Sequence, residues 1–142
     1  MEHLILPKRL AQISLGFISI LLVSTILLYF NSHNPTLLNA LQERIQAEGG
    51  KLTSTNQVAK DFQAMLLPGI FIIFVPWLVN LLSILYIHKY TIASGFMMAI
   101  AGLMMLYTII PPILLIFGAS IIFTKHRYYL KHEKYKVEYE KD

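Results

Sequence analysis

Three stretches of this chain, Leu10–Phe30, Leu66–Ile87 and Ile92–Phe123, contain no Asp, Glu, Lys or Arg. No other feature limits the possible folds so tightly. An uncharged apolar run of about 18 residues or more is the mark of a helix that crosses a bilayer, whose hydrocarbon core is roughly 30 Å thick. At 1.5 Å per residue the first run reaches about 31 Å and the second about 33 Å. Only 14% of all residues are charged and 56% are hydrophobic, whereas a water-facing surface normally carries about a quarter charge. The expected class is therefore an all-α integral membrane protein of the cell membrane, with its charge segregated into the connections.

Lys8-Arg9 before the first run resembles the charged region of a signal peptide. The run is longer than the 7–15 apolar residues of such a peptide, and it ends without a small-residue cleavage site, so it reads as a retained anchor. The chain has no Cys, which excludes disulfides, thiol nucleophiles and thiolate metal sites.

The third run would be about 48 Å long as one helix. Either it is a single long kinked helix, giving three spans, or it is a hairpin of two short helices, giving four. Pro111-Pro112 favours a break, since each proline lacks an amide hydrogen and disfavours a helical residue before it. Lys and Arg near span ends mark the cytoplasmic side. Lys8, Arg9, Lys89, Lys125, Arg127 and Lys131 all lie close to spans, while residues 31–65 carry Arg44, Lys51 and Lys60 against Glu43, Glu48 and Asp61. The preferred layout is a four-helix bundle. It has a cytoplasmic N terminus (1–9), spans at 10–30 and 66–87, an outer loop (31–65), a cytoplasmic turn (88–91), short spans at 92–107 and 110–123 about an outer turn (108–109), and a cytoplasmic tail (124–142).

The outer loop has helical grammar. Asn34 is placed to cap, Pro35 fits the first helical position, and Leu37, Leu38, Leu41 and Ile45 share a stripe ended by Gly49-Gly50. A second segment starts at Ser54 with Gln57 at the capping-box position, and Val58, Phe62 and Met65 fall on one face. Leu37, Leu41, Ile45 and Trp77 are the candidate partner contacts; amphipathic helices that merely cover the bundle are the plainer account. In the tail, Lys125, Arg127 and Lys131 are candidate contacts for anionic lipid headgroups. Glu133, Glu138, Glu140 and Asp142 offset the tail's positive charge, which argues against nucleic acid as a ligand.

No ionisable residue interrupts the three runs, although transport and proton pathways usually need one. Asn80 is the strongest polar group inside a run and calls for an interhelical partner. Gly95, Ala99 and Gly102 recur at i, i+4 and i+7, and Gly118 lies in the last run; small residues so spaced let helices approach closely. The five histidines, His3, His33, His88, His126 and His132, make no short ligand motif. No catalytic, cofactor-binding or metal-binding residue is assigned, and an enzyme is not expected.

The basic N terminus, a loop of some 35 residues, the turn at His88-Lys89, the run Ala99-Ile100-Ala101-Gly102-Leu103 and the closing Phe117-Gly118-Ala119 before Lys125–Arg127 resemble a group of small uncharacterised four-helix membrane proteins of Gram-positive bacteria. Pro111-Pro112 and the tyrosine-rich tail depart from that pattern. The resemblance implies a four-helix cytoplasmic-membrane protein and no established activity. The leading functional expectation is an accessory, regulatory or immunity-type subunit that binds another membrane protein or itself; the alternative is a small transport or pore component formed on oligomerisation, with Asn80, Ser83 and the serines of the first span lining the passage.

Overall fold

A computed structural model describes residues 2–51 and 54–139, with side chains through Glu133. The end of the predicted tail, 140–142, lies outside the described residues. Among them the protein is all-α. A 3-10 turn at Glu2–Leu4 leads into α1 (Ile5–Phe30), followed by α2 (Pro35–Ala47), α3 (Thr55–Tyr86), α4 (Thr91–Met104) and α5 (Ile110–Tyr139). Two helical stretches, Glu2–Phe30 and Thr55–Tyr86, are long and apolar enough to cross a membrane, and Thr91–Met104 is a shorter apolar helix.

Helix ends do not coincide with hydropathy boundaries. α3 begins at Thr55 rather than at Leu66, so the amphipathic segment and the uncharged run are one helix of 32 residues, about 48 Å long. Likewise α5 passes Phe123 without a break and continues to Tyr139. The run from Ile92 to Phe123 is divided between two helices. α4 stops at Met104, and Thr108 closes the connection by donating through both its amide (2.8 Å) and its hydroxyl (2.7 Å) to the Met105 carbonyl. Pro111 and Pro112 then sit in the first turn of α5, where the amide hydrogens they lack would have had no intrahelical acceptor. They start a helix instead of kinking one.

The chain divides into two compact units, Met1–Ser19 with Val75–Asp142, and Ile20–Phe74. In the first, α4 and α5 pack antiparallel. A Cβ built on Gly95 would stand 3.1 Å from Ile122, one on Gly118 3.6 Å from the Met98 sulfur, and one on Gly102 3.1 Å from Ile116 and 3.2 Å from Leu115. Met98, Ala101, Met105, Leu115, Ala119 and Ile122 complete this core. In the second unit Leu38 of α2 packs with Val58 and Ala59 of α3, flanked by Leu41 and Ile45.

The ends of α2 follow local chemistry. Asn34 adopts extended φ/ψ of −67° and 123°, and its side chain accepts the Thr36 amide at 3.0 Å, with Pro35 in the first helical position. Gly49 takes φ of +81°, a left-handed conformation in which a Cβ would be strained. The Gly50 amide then donates to the Ile45 carbonyl at 2.8 Å. At the start of α3, Gln57 differs from the expected capping box. Its amide donates to Asp61 at 3.0 Å, a charge-assisted bond one turn ahead that takes the side chain away from Ser54.

Candidate functional site

Two places combine polar groups with apolar walls in ways that bear on function. One is a buried polar seam in the first unit. Asn80 and Ser83 on α3 and Ser94 on α4 are fully buried. The Asn80 amide donates to the backbone carbonyl of Ala11 on α1 at 3.1 Å. Ser83 donates to the Asn80 carbonyl at 2.7 Å, and Ser94 donates to the Ser83 carbonyl at 2.7 Å. The seam therefore ties three helices together with side chains that find backbone acceptors. Of the expected contributors to a polar passage, Asn80 and Ser83 are consumed here. Ser19 donates to Leu15 at 2.7 Å and Thr25 to Leu21 at 2.8 Å, each one turn back along its own helix. Such back-bonding satisfies a hydroxyl without water. Ser14 is buried, and its hydroxyl has no partner.

Trp77, a candidate partner contact, is half-buried and donates its indole N–H to Ser19 at 2.8 Å. The structure thus gives it an internal role within the first unit. Gly95, Gly102 and Gly118 are buried at helix contacts, whereas Ala99 is only half-buried. Met98 and Ala101, both fully buried, carry the α4 face between Gly95 and Gly102 more directly than Ala99 does. Gly95, Met98 and Gly102 thus lie buried at i, i+3 and i+7.

The second place is a cleft in the Ile20–Phe74 unit. It has a volume of about 420 Å³ and lies between α2 and the first turns of α3. Leu41 and Ile45 from α2 and Val58, Phe62 and Met65 from α3 form its apolar walls, and Arg44, Glu48 and Asp61 stand at its rim. Arg44 and Glu48 are paired at 3.6 Å with both side chains mostly exposed, so the pair contributes little to stability. Asn34 caps one wall, and the Gln63 amide donates at 2.6 Å to the buried Ser32 hydroxyl in the connection between α1 and α2. Met65 is 77% exposed, although it belongs to a segment rich in charge and polar groups. Of the four candidate partner contacts, Leu41 and Ile45 line this cleft, while Leu37 and Trp77 do not. The helical stripes of the two segments were legible separately; that they face each other across a cleft was not.

Lys125, Arg127 and Lys131 are all exposed on α5. Among the described residues no group of three or more His, Cys, Asp or Glu side chains is placed to hold a metal ion. Comparison with protein-family models, with curated proteins and with solved structures found no match for this chain.

Proposed function

We propose that this chain is a multi-pass accessory or regulatory subunit of the cell membrane, of the kind that includes immunity proteins, and that it acts by binding another membrane protein through the cleft between α2 and α3. The proposed topology has four spans, α1, α3, α4 and the first half of α5, with both chain ends on the cytoplasmic side. The basic residues at Lys8, Arg9, Lys89, Lys125 and Arg127 support that orientation.

The observation that carries the functional reading is the cleft itself. Lateral apolar surface on a membrane helix is expected to meet lipid and signifies nothing by itself. An apolar cleft rimmed by Arg44, Glu48 and Asp61 is different, because its setting is charged and Met65 on its wall is exposed. Exposed apolar concavities of this kind suit one or two apolar side chains from a partner. The mixed charge at the rim suits an extramembrane turn of another membrane protein better than a strongly charged soluble one. The polar seam weighs against the pore alternative, since Asn80 is bonded to the Ala11 carbonyl of α1 and Ser83 to the Asn80 carbonyl within α3.

The test is affinity purification of the full-length protein from native membranes, comparing the unaltered chain with Met65→Lys and Phe62→Glu variants. A membrane protein that copurifies with the former and is lost from both variants, with helical content unchanged, is the expected result. Absence of any copurifying protein, together with flux in liposomes that Asn80→Leu abolishes, would overturn the subunit reading in favour of the pore.

A further inference from the structure

The first unit contains a cavity of about 610 Å³ that neither the seam nor the cleft involves. His3 of the 3-10 turn, His88 and Lys89 of the α3–α4 connection, and His126, Tyr129 and Glu133 of α5 line it. Three imidazoles and one ammonium thus face a single carboxylate. Both ring nitrogens of His3 and Nδ1 of His126 are buried without a hydrogen-bond partner, a costly condition unless something accepts from or donates to them. The rings are held in place by stacking: His3 lies 4.5 Å from Tyr129 and 5.9 Å from His126, centroid to centroid. The N terminus of α4 opens on the same space through Thr91–Ala93, and Tyr90 before them supplies no side-chain cap. First-turn amides left in this way carry the positive end of the helix dipole.

An apolar crevice of about 340 Å³ adjoins the cavity and shares Ile92 and His126 with it. Its walls are Phe96, Ile122 and Phe123, with Arg127 at the edge. Phe96 and Phe123 meet edge to face at 5.0 Å. A chamber carrying basic side chains beside an aromatic groove has the two-part chemistry of an anionic amphiphile.

We propose that the cavity and crevice together bind one anionic phospholipid, its phosphate among His88, Lys89, His126 and the α4 amides and an acyl chain along Phe96 and Phe123. A free phosphate would leave the crevice unused. A choline headgroup would bring its own cation against Lys89 and the imidazoles, so the site discriminates by charge as well as by shape. The charged and titratable groups around it are Glu2 and His3 from the turn, His88, Lys89 and Tyr90 from the connection, and Lys125, His126, Arg127, Tyr128, Tyr129 and Glu133 from α5. Burial first, and then the charge of His126, hold His3 below its ordinary range. This site is independent of the cleft and stands whether or not the cleft has a partner.

The experiment is a lipid titration of the purified full-length protein in detergent, read by native mass spectrometry, with phosphatidylglycerol, phosphatidylcholine and inorganic phosphate as separate probes. The variants are His88→Ala/Lys89→Ala, both exposed positions, and Phe96→Ala, whose ring is 59% exposed. Phosphatidylglycerol should bind more tightly than phosphatidylcholine, and about tenfold more weakly in the double variant, as expected for losing a charge-assisted contact. Phe96→Ala should weaken the lipid and leave inorganic phosphate unchanged. Equal binding of the two lipids, or full binding by the double variant, would overturn the proposal. Inorganic phosphate bound as tightly as the lipid, with Phe96→Ala silent, would assign the cavity to a soluble anion and overturn the lipid site.

Discussion

Replacing Asn80 by Leu tests what the buried seam contributes, because the two side chains have the same number of heavy atoms and the same branching, so the change removes polarity without opening a cavity. The side chain loses its bond of 3.1 Å to the Ala11 carbonyl. That carbonyl lies within α1, clear of either end, and keeps its own intrahelical donor, so no acceptor is orphaned. Ser83 loses a long contact to Oδ1 at 3.4 Å but retains the Asn80 backbone carbonyl at 2.7 Å. What remains is the worth of one interhelical hydrogen bond in an apolar setting, about 0.6–2 kcal/mol. A loss near ~1 kcal/mol shifts the unfolding equilibrium about fivefold. Asn80→Ala should cost more, about 2 kcal/mol, since it adds a void to the lost bond. Reversible unfolding of the detergent-solubilised protein, followed by helical circular dichroism, measures both. Asn80→Leu as stable as the parent, or destabilised by more than Asn80→Ala, would refute the assignment of Asn80 to helix association.

The glycine contacts between α4 and α5 predict a graded response. Gly118→Ala places its Cβ at an ordinary 3.6 Å from Met98 and should be nearly neutral, whereas Gly102→Ala meets Ile116 and Leu115 at 3.1 and 3.2 Å and should lower stability by about 1 kcal/mol, with Gly102→Leu costing about 1–3 kcal/mol or more; the same unfolding assay ranks them. Packing of the Glu2–Leu4 turn on α5 should depend on pH. His3 sits below its ordinary value of 6.5 because of burial and then the His126 charge. Its neutral form is therefore the packed one, and the contribution is complete above about pH 6.5 and is lost as pH falls through the interval beneath it. Hydrogen exchange at residues 2–10 in lipid-free detergent should accelerate on acidification, and His3→Gln should abolish that dependence.

Features governed by neighbours in sequence were legible before the structure. Asn34, Pro35 and Gly49-Gly50 delimit α2 because capping is decided within a few residues. Pro111-Pro112 marks the start of α5 for a similar reason. Helix ends that depend on continuity were not legible from hydropathy. Lys60, Gln63 and Ala64 before the second run, and Lys125 and Leu130 after the third, are all adequate helix formers, so α3 begins before Leu66 and α5 continues past Phe123. Change of solvent is not change of backbone. The need of Asn80 for a partner could be read from its type, yet the partner is the backbone oxygen of Ala11, which any residue would supply and no side chain advertises. The basic cavity was hidden for a further reason. His3, His88 and His126 are too far apart in sequence for any motif, and only the folding of the chain ends toward the α3–α4 turn assembles them.

The unequal lengths of α4 and α5 account for that assembly. The two helices have 14 and 30 residues, about 21 and 45 Å. In the antiparallel register that sets Gly102 against Leu115 and Gly95 against Ile122, α4 comes to its N terminus beside His126, where Ile92 borders the same crevice. α5 runs on for 13 further residues to Tyr139, about 20 Å, with no α4 alongside. A three-residue 3-10 turn covers part of that exposed face by stacking His3 on Tyr129. It is too short to fill it, and the remaining space is the cavity, with the uncapped amides of α4 on one wall and the imidazoles on the others. One more helical turn on α4 would carry its N terminus past His126, bury those amides' dipole away from the imidazoles and close the chamber. The shortness of α4 is therefore what separates a plain helical hairpin from one that can hold an anion at its end.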